Sequence, residues 1–429
     1  MKKVFIVLLG FLLMSSVFSQ MTGKRPTQYG FDINIKPPVY YDVYITYNDR
    51  NLNPQLNVLF NIQNDLLFFT RSDNGYEGGY DIALAVKDLK TNSTVFSHLW
   101  REEIFEKEFK ATNSKERYQV NGKRFDTDLS SGKYKVLLEL TDQATGNSFK
   151  SDREITIPDL KSSIFFNDIK FLSENDSLST EIMVGDNQST VEFNHDLHAF
   201  LQIVQSQSAP ISVTSILFRF EDDEKIEIRR KEQSISDEMK IINFYEFFDK
   251  NIMEEGDYLL SYDIKSETSN SKIQKKFSVI WYEKPLYLYD IELAIPPLQY
   301  ILSAEEWDSL DDLSDKELSK WLKEFWHEKD PNPETPLNEI MVEFYNRVLE
   351  ANKKYADQYN EGWTTDRGKS LILYGKPDHI EAYRYNLKSK PYEIWYYRSE
   401  NKKLVFIDVD EDDTYPLMSV EDIGEKTSE

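Results

Sequence analysis

The chain has 429 residues, more than one ordinary domain of about 100–200 residues holds, and this length predicts about three domains. Its 51 Lys and Arg against 75 Asp and Glu give a net charge of −24, which argues against binding to nucleic-acid phosphates or to an anionic membrane surface. The 26 Phe, 26 Tyr and 7 Trp are typical of β-rich proteins, and the absence of Cys excludes disulfides and a lipid-anchored N-terminal cysteine.

The first 19 residues have the pattern of a cleaved export signal. Lys2 and Lys3 form a basic start, residues 4–14 are apolar, and residues 17–19 end in a small side chain before Gln20. The apolar run is too short to remain in a membrane as a spanning helix. We therefore expect a mature protein that is periplasmic or secreted and has no membrane span.

After a lead-in over residues 20–39, residues 40–158 are predicted to form an Ig-like antiparallel β-sandwich. Leu56, Val58, Phe60 and Ile62 alternate with other residues, which is the period of a strand with one buried face. Similar runs over residues 80–86, 94–100, 134–140 and 149–157 are separated by Gly, Asn and Ser. Short strands at this spacing, with no helical pattern between them, favour a sandwich.

A second sandwich is predicted over residues 159–283, opening at residues 164–172 and closing near Trp281. Its segment EGDYLLSYDIKS aligns with SGKYKVLLELTD of the first sandwich at a constant offset of 124 residues. The aligned pairs are Gly132 with Gly256, Tyr134 with Tyr258, Val136 with Leu260, Leu138 with Tyr262, Leu140 with Ile264 and Ile155 with Val279. This self-similarity indicates a tandem repeat.

Two amphipathic helices are predicted after a linker over residues 284–312. The first begins after Ser314, which forms a capping box with Glu317, and presents Leu318, Trp321, Leu322, Phe325 and Trp326 on one face. The second is predicted to begin with Thr335 as N-cap and Pro336 at the first helical position, and to end near Tyr359. Its predicted core face is Ile340, Met341, Phe344, Val348, Ala351 and Tyr355.

The stretches EFWHEKDPNPETPLNE, FYNRVLEANKKY, GWTTDRGKSLILYGKPD and PYEIWYY resemble the bacterial GWxTD-domain family over residues 313–415. The motif residues are Gly362, Trp363, Thr365, Asp366, Arg367, Gly368, Tyr374, Gly375, Pro377 and Asp378. The resemblance implies a C-terminal domain, often behind β-rich regions, in exported proteins. It implies no catalytic residue, because the family has no established activity. We assign residues 313–420 to this α+β domain and residues 421–429 to an acidic tail.

The motif residues have a structural interpretation. Gly362 is expected to adopt a left-handed conformation after the second helix, Trp363 to enter the core, and Thr365 or Asp366 to cap the next segment. That segment carries Leu371, Ile372 and Tyr374, fits either a helix or a strand, and is stopped by Gly375 and Pro377. Strands over residues 380–385, 392–398 and 404–409 are predicted to form a small antiparallel sheet against the helices.

Asp366 and Arg367 have two interpretations. A salt bridge between them is favoured, because such pairs are usually structural. The alternative is a ligand-binding pair.

Catalytic motifs were not found: the sequence has no GxSxG, HExxH, GxGxxG or phosphate-binding loop. A metal could use His195 and His198, but zinc normally needs three or four protein ligands and no further ligand is evident, so packed or solvated histidines are favoured. His327 lies beside Glu328 and Asp330, which suits acid–base chemistry, but a histidine at a helix end is the simpler interpretation.

Two further stretches have residue patterns that occur in ligand-binding sites. Asp408, Asp410 and Asp412 have calcium-loop spacing, but Asp413 and Ser419 replace the required Gly and Glu, so a solvated turn is favoured. Neither a metal nor a cofactor is predicted. Trp395 and Tyr397 alternate in one strand, either as a stacking platform for sugars or, as we favour, as core residues.

Two functions are compatible with the sequence. The favoured one is a non-catalytic exported module whose sandwiches act as spacers or adhesion surfaces and whose C-terminal domain docks a protein or another cell-envelope component. The alternative is an envelope hydrolase acting on glycan or peptide, with a site around Trp363, Asp366, Arg367 and His327.

Overall fold

The computed structural model describes residues 24–26, 32–34, 36–159, 164–172, 182–184, 188–205, 208–221, 224–236, 240–267, 269–357, 360–384 and 390–423. The predicted export signal lies outside the described residues. The chain divides into two compact units, Met1–Tyr282 and Glu283–Glu429. The described part is mostly β-sheet, and its longer helices lie in the second unit.

The first unit begins with ten described strands. They are β1 Lys24–Pro26, β2 Asp32–Asn34, β3 Val39–Tyr47, β4 Pro54–Gln63, β5 Thr70–Ser72, β6 Gly75–Asp88, β7 Thr94–Glu106, β8 Tyr118–Asp126, β9 Gly132–Asp142 and β10 Ser148–Ile157, with the short helix α1 Phe109–Thr112. Ten more follow: β11 Ile164–Phe166, β12 Lys170–Leu172, β13 Ile182–Val184, β14 Gln188–Glu192, β15 Leu197–Gln205, β16 Ile211–Glu221, β17 Glu224–Ile235, β18 Ile241–Phe248, β19 Gly256–Lys265 and β20 Asn270–Ile280.

These strands form several sheets. In the first half, β3, β4 and β8 form a three-stranded sheet, while β10, β9, β6 and β5 form a larger one in which β7 also pairs with β6. In the second half, β15 pairs with β11, β12 and β18, and a six-stranded sheet has the order β13-β14-β20-β19-β16-β17. The prediction of purely antiparallel sheets is wrong at one place, because β14 runs parallel to β20. A parallel neighbour is possible there because a long stretch of chain connects the two strands.

The alternation predicted in the first half is confirmed in β4. Leu56, Val58, Phe60 and Ile62 are all buried in one core together with residues of β6 and β9. Asn57, on the other face of β4, is also buried, and its amide donates to the Thr46 hydroxyl at 2.9 Å. Both faces of this central strand are therefore covered.

The two aligned segments form equivalent hairpins, β9 with β10 and β19 with β20. The Tyr134 hydroxyl donates to the Ser130 carbonyl at 2.8 Å, and the Tyr258 hydroxyl donates to the Glu254 carbonyl at 3.0 Å. In each case the acceptor lies four residues before the tyrosine. One aligned pair was wrong: Tyr134 faces Ile155, whereas Tyr258 faces Phe277 rather than Val279.

The second unit contains helices and a small sheet. Its helices are α2 Ile291–Ala294, α3 Ala304–Asp308, α4 Asp315–Glu328, α5 Glu339–Tyr355 and α6 Asp366–Tyr374, and its 3-10 turns are Leu286–Tyr289, Pro296–Tyr300 and Gly362–Thr364. Its strands are β21 His379–Tyr383, β22 Tyr392–Tyr397, β23 Lys402–Ile407 and β24 Leu417–Asp422, which form a four-stranded antiparallel sheet in that order.

The predicted linker over residues 284–312 is wrong. Tyr287, Ala294, Leu298 and Leu310 are buried in the core of the second unit. The prolines at 296 and 297 divide this segment into short helical turns, so its apolar residues show no sustained period. The unit therefore begins near Glu283 rather than at residue 313.

The first long helix was predicted well, and the second only in part. The capping box of α4 is confirmed, with the Ser314 hydroxyl donating to Glu317 at 2.6 Å. The N-cap of α5 is Asn338 rather than Thr335, because the Asn338 side-chain oxygen Oδ1 accepts from the Met341 amide at 2.8 Å. Ile340, predicted for the core, is exposed in the first turn of α5.

Strand β24 was missed, and it takes up the first residues of the predicted acidic tail. Its side chains are half-buried or exposed, so it lacks the alternation that marks a strand with one covered face. None of the helices in the described part of the chain has the length and apolarity that a bilayer span requires.

Candidate functional site

Residues 362–378 fold as a 3-10 turn, a helix and a glycine stop. The sequence of the segment with Leu371, Ile372 and Tyr374 fits either a helix or a strand. In the structure this segment is a helix, α6. Thr365 is its N-cap, because the Thr365 hydroxyl oxygen accepts from the Gly368 amide at 3.1 Å. The same hydroxyl donates to the Gly362 carbonyl at 2.7 Å, so it joins the turn to the helix.

The prediction of a left-handed Gly362 is wrong. A Cβ atom at Gly362 would lie 2.2 Å from the Ala351 carbonyl oxygen, and one at Gly368 would lie 1.9 Å from the Gly362 carbonyl oxygen. Both glycines are therefore needed because backbone segments approach closely, not because of a turn conformation. The left-handed glycine is Gly375, which has a φ of 75° and ends α6 as predicted.

Trp363 lies in the core of the second unit, 6% exposed. Its backbone amide donates to the Asn352 side-chain oxygen at 2.9 Å, and its carbonyl accepts from the Tyr300 hydroxyl at 3.2 Å. The indole N–H donates to the Glu361 carboxylate. Trp363 thus ties the turn to α5 and to the segment that precedes the long helices.

The predicted salt bridge between Asp366 and Arg367 is absent among the described contacts. The Asp366 carboxylate instead accepts from the Leu417 amide at 2.7 Å, where β24 begins. Asp366 is also the first residue of α6, where a carboxylate is stabilised by the helix dipole. This residue therefore joins the helix to the edge of the sheet.

Arg367 points into the unit and is mostly buried. Its guanidinium lies 3.6 Å from the Glu393 carboxylate and donates to the Asp413 carbonyl at 2.8 Å. The aromatic rings of Tyr355 and Tyr415 lie 5.0 and 4.3 Å from it. Arg367 is thus enclosed by α5, β22 and the loop before β24.

Tyr355, one of the two tyrosines beside Arg367, does not supply a negative charge at ordinary pH. Burial raises the pKa of Tyr355 to about 12, while Arg367 acts in the opposite direction. Tyr355 therefore stays neutral, and the carboxylate that faces the Arg367 guanidinium is that of Glu393.

The remaining motif residues hold the end of α6 against the sheet. The ring centroids of Tyr374 and Tyr397 are 5.4 Å apart, and Pro377 is half-buried after the glycine stop. The Asp378 carboxylate accepts from the Arg398 amide at 2.6 Å. Each of these contacts lies within the second unit.

His327, named for the alternative hydrolase site, lies exposed in the last turn of α4. None of the described contacts joins it to Trp363, Asp366 or Arg367. The structure thus brings the motif residues together without this histidine.

The other candidate residues have structural partners. Trp395 and Tyr397 are buried in the core, as favoured. Asp408 is buried rather than solvated. Its carboxylate accepts from the Asp412 and Asp413 amides at 3.1 and 3.0 Å, so these two bonds replace hydrogen bonds to water. Among the described residues, no group of three or more His, Cys, Asp or Glu is arranged to hold a metal ion.

His195 and His198 do not share a site. The His195 ring nitrogen Nδ1 lies 3.1 Å from the Phe193 carbonyl, and the His198 ring packs against Phe247 with centroids 5.2 Å apart. His195 is exposed and His198 is packed, which are the two roles that the sequence favoured for these histidines.

Sequence reasoning missed a buried charged network in the first unit. Asp42 of β3 is 0% exposed and contacts the Arg153 guanidinium of β10 and the Lys170 ammonium of β12, the latter at 3.0 Å. Lys275 of β20 donates to the Ile169 carbonyl at 2.6 Å and lies 3.5 Å from Asp168. The signal was present in the sequence: Asp42 interrupts the apolar strand VYYDVYITY.

The network lies at a groove of about 990 Å3. Strands from both halves of the first unit line it, including residues of β3, β10 and β20. Asp42 contacts Arg153 of β10, in the first half, and Lys170 of β12, in the second half. These ion pairs therefore connect the sheets of the first half to the second half. The name Asp42 network denotes Asp42, Arg153, Lys170, Asp168 and Lys275.

The second unit is thus an α+β domain in which one motif ties two helices to a small sheet. Residues 260–419 match the family model described as the GWxTD domain. The match begins within β19 of the first unit and covers most of the second. This match confirms the resemblance to the GWxTD-domain family. No curated protein matches the chain significantly.

Solved structures with weak similarity include a transglutaminase from red sea bream, with 10% identity, 56% of this chain and 31% of that chain covered and a TM-score of 0.19. A DUF4785 family protein from Legionella pneumophila has 11% identity, coverage of 56% and 57%, and a TM-score of 0.19. Fibronectin(III)-like modules of CbhA from Clostridium thermocellum have 10% identity, coverage of 54% and 87%, and a TM-score of 0.16. The chain thus spans about a third and just over half of the first two proteins, and these similarities carry no argument about function.

Proposed function

We propose that this protein is an exported, non-catalytic module of the bacterial cell envelope. In this proposal two tandem Ig-like β-sandwiches act as spacers or adhesion surfaces, and the GWxTD domain docks a protein or another envelope component. The GWxTD motif holds the domain together and performs no chemistry.

The observation that carries this proposal is that the motif side chains are directed at their own domain. Thr365 caps α6, Asp366 accepts from Leu417, and Arg367 is enclosed by Glu393 and two tyrosine rings. A catalytic group must reach a substrate atom. Side chains that bind groups of their own domain are instead suited to holding helices against a sheet.

The tandem-sandwich arrangement is supported by the paired tyrosines. In β-sandwiches a buried tyrosine near a strand start commonly donates to a backbone carbonyl a few residues upstream. Tyr134 and Tyr258 both do so, each two residues after the glycine that begins its strand.

Export is the part of the proposal that the N-terminal sequence supports. The mature protein recovered from outside the cytoplasm is expected to begin at or near Gln20, because residues 17–19 form the cleavage pattern. N-terminal sequencing measures this directly. An intact Met1 on the exported protein would contradict it.

Two substitutions test the structural role of the motif. Asp366→Asn keeps the size and one acceptor, so it is expected to lower the free energy of unfolding by only about 1–2 kcal/mol. Arg367→Lys loses the planar contacts with the two tyrosines and is expected to cost about 1–3 kcal/mol. We expect the phenotype of a complemented deletion strain to be lost only in proportion to this loss of stability, measured by thermal unfolding.

The matched control is Asp315→Asn, because Asp315 also occupies the first position of a helix but is exposed. It is expected to change neither stability nor phenotype appreciably. A fully stable Asp366→Asn protein that fails to complement would overturn the structural interpretation and favour the hydrolase or a ligand site.

A further inference from the structure

Strand β7 presents a long unpaired edge. It has 13 residues and pairs along one side with β6. On the other side, none of the described residues pairs with it. Unpaired backbone N–H and C=O groups in such a strand form a template for another strand, and edges of this length are usually covered or interrupted.

The exposed face of β7 is also apolar at its centre. Leu99 is 70% exposed, the most exposed large apolar side chain among the described residues, and Phe105 is exposed on the same face. Leu99 faces the small side chain of Ala83 on β6, so nothing in that neighbour covers it. An edge with exposed apolar side chains is suited to another strand of complementary sequence.

The sequence of β7 is complementary to itself. In antiparallel pairing, backbone groups of alternate residues point to one edge, so the numbers of two facing residues must have a constant, even sum. Val95 bulges out of the pairing with β6, because Val86 faces Phe96 and Lys87 faces Thr94, so the regular part of β7 is residues 96–106. A sum of 200 centres the pairing on Trp100. The facing pairs are then Phe96 with Ile104, Ser97 with Glu103, His98 with Glu102, Leu99 with Arg101, and Trp100 with itself.

In this register Phe96 faces Ile104, and no like charges face one another. A shift of two residues in one direction places Arg101 opposite Arg101 of the other copy. The opposite shift places Phe96 opposite Glu102. Since like charges directly opposite are destabilising and carboxylates lose hydration beside apolar side chains, the register centred on Trp100 is the favoured one.

We propose that this protein forms a two-fold symmetric homodimer in which the β7 strands of two copies pair antiparallel about Trp100. The pairing joins the five-stranded sheets of two copies into one continuous sheet. Its occupant is a second copy of this chain because the edge matches its own sequence. The interface is a single strand pair, so the dimer belongs to the weak, concentration-dependent class.

Leu99 provides a charge test that depends on the register. In the proposed dimer Leu99 lies opposite Arg101, which is held on the outer face by Asp81 at 2.9 Å. Leu99→Lys places like charges opposite each other twice, whereas Leu99→Glu places opposite charges there. Because Leu99 is exposed, neither change is expected to alter the fold, which far-UV circular dichroism checks.

The measurement is sedimentation velocity of the mature protein over roughly 1–100 µM. We expect the unchanged protein to dimerise in this range, Leu99→Lys to raise the dissociation constant by roughly tenfold or more, and Leu99→Glu to leave it unchanged or lower it. A monomer throughout the range overturns the proposal. So does a dimer that responds to neither variant, while dimerisation strengthened by Leu99→Lys overturns the register.

Discussion

Gly368→Ala is expected to destabilise the second unit by roughly 3 kcal/mol or more, at or beyond the upper end of what an added methylene costs in a packed core. The new Cβ atom would meet the carbonyl oxygen of Gly362 at 1.9 Å and its carbonyl carbon at 2.8 Å. These are backbone atoms, which cannot rotate away. The intrinsic preference of a helix for Ala over Gly, about 1 kcal/mol, acts in the opposite direction and is too small to compensate.

Tryptophan fluorescence of the full mature chain is a suitable measurement. Of the seven tryptophans, Trp307, Trp321, Trp326, Trp363 and Trp395 lie in the second unit, so the signal reports mainly on it. Gly132→Ala is the matched control, because a Cβ atom there lies 3.5 Å from its nearest neighbour. A Gly368→Ala protein that melts at the temperature of the unchanged chain would mean that the turn and α6 do not approach closely.

Asp42→Asn is expected to lower the free energy of unfolding by about 3–5 kcal/mol. Asn keeps the size of Asp but removes the charge that faces Arg153 and Lys170. Lys170 is only 1% exposed, so its ammonium would stay buried after losing the carboxylate that lies 3.0 Å away, with the half-exposed Asp168 carboxylate still at 3.3 Å. Removing one partner of a buried ion pair costs more than the pair itself contributes, because the remaining charge is still out of water.

The matched control for Asp42→Asn is Asp152→Asn. Asp152 pairs with Lys135 at 2.8 Å, but the side chains are 53% and 38% exposed to water, so the loss of this pair is expected to cost at most about 1 kcal/mol. Thermal unfolding followed by far-UV circular dichroism compares the two. Equal melting temperatures for both variants would show that the Asp42 network does not contribute to stability.

Local patterns predicted the elements that are determined by neighbouring residues. The capping box at Ser314 and Glu317, the alternation in β4 and the glycine stop at Gly375 all depend on side chains within a few positions. For the same reason Thr335 misled the prediction of the second long helix. It has the right residue type for an N-cap, but Asn338 supplies the bond and also donates to the Trp326 carbonyl at 2.6 Å.

Contacts between distant segments were not predictable from one sequence. Asp366 and Arg367 are adjacent in the chain, so a salt bridge between them was the simplest expectation. In the structure their partners, Leu417 and Glu393, lie 51 and 26 positions away from them, since 417 − 366 = 51 and 393 − 367 = 26. The Asp42 network was missed for the same reason, because its members lie on four separate strands and on the turn before one of them.

The tyrosines at 134 and 258 occupy equivalent places in two hairpins whose connections differ in length. They are separated by 258 − 134 = 124 residues, whereas the residues facing them, Ile155 and Phe277, are separated by 277 − 155 = 122. The hairpin connection that follows Tyr258 is therefore two residues shorter than the one that follows Tyr134. Both hairpins keep a hydrogen bond from the tyrosine hydroxyl to a carbonyl four residues upstream, so this contact does not depend on the length of the connection.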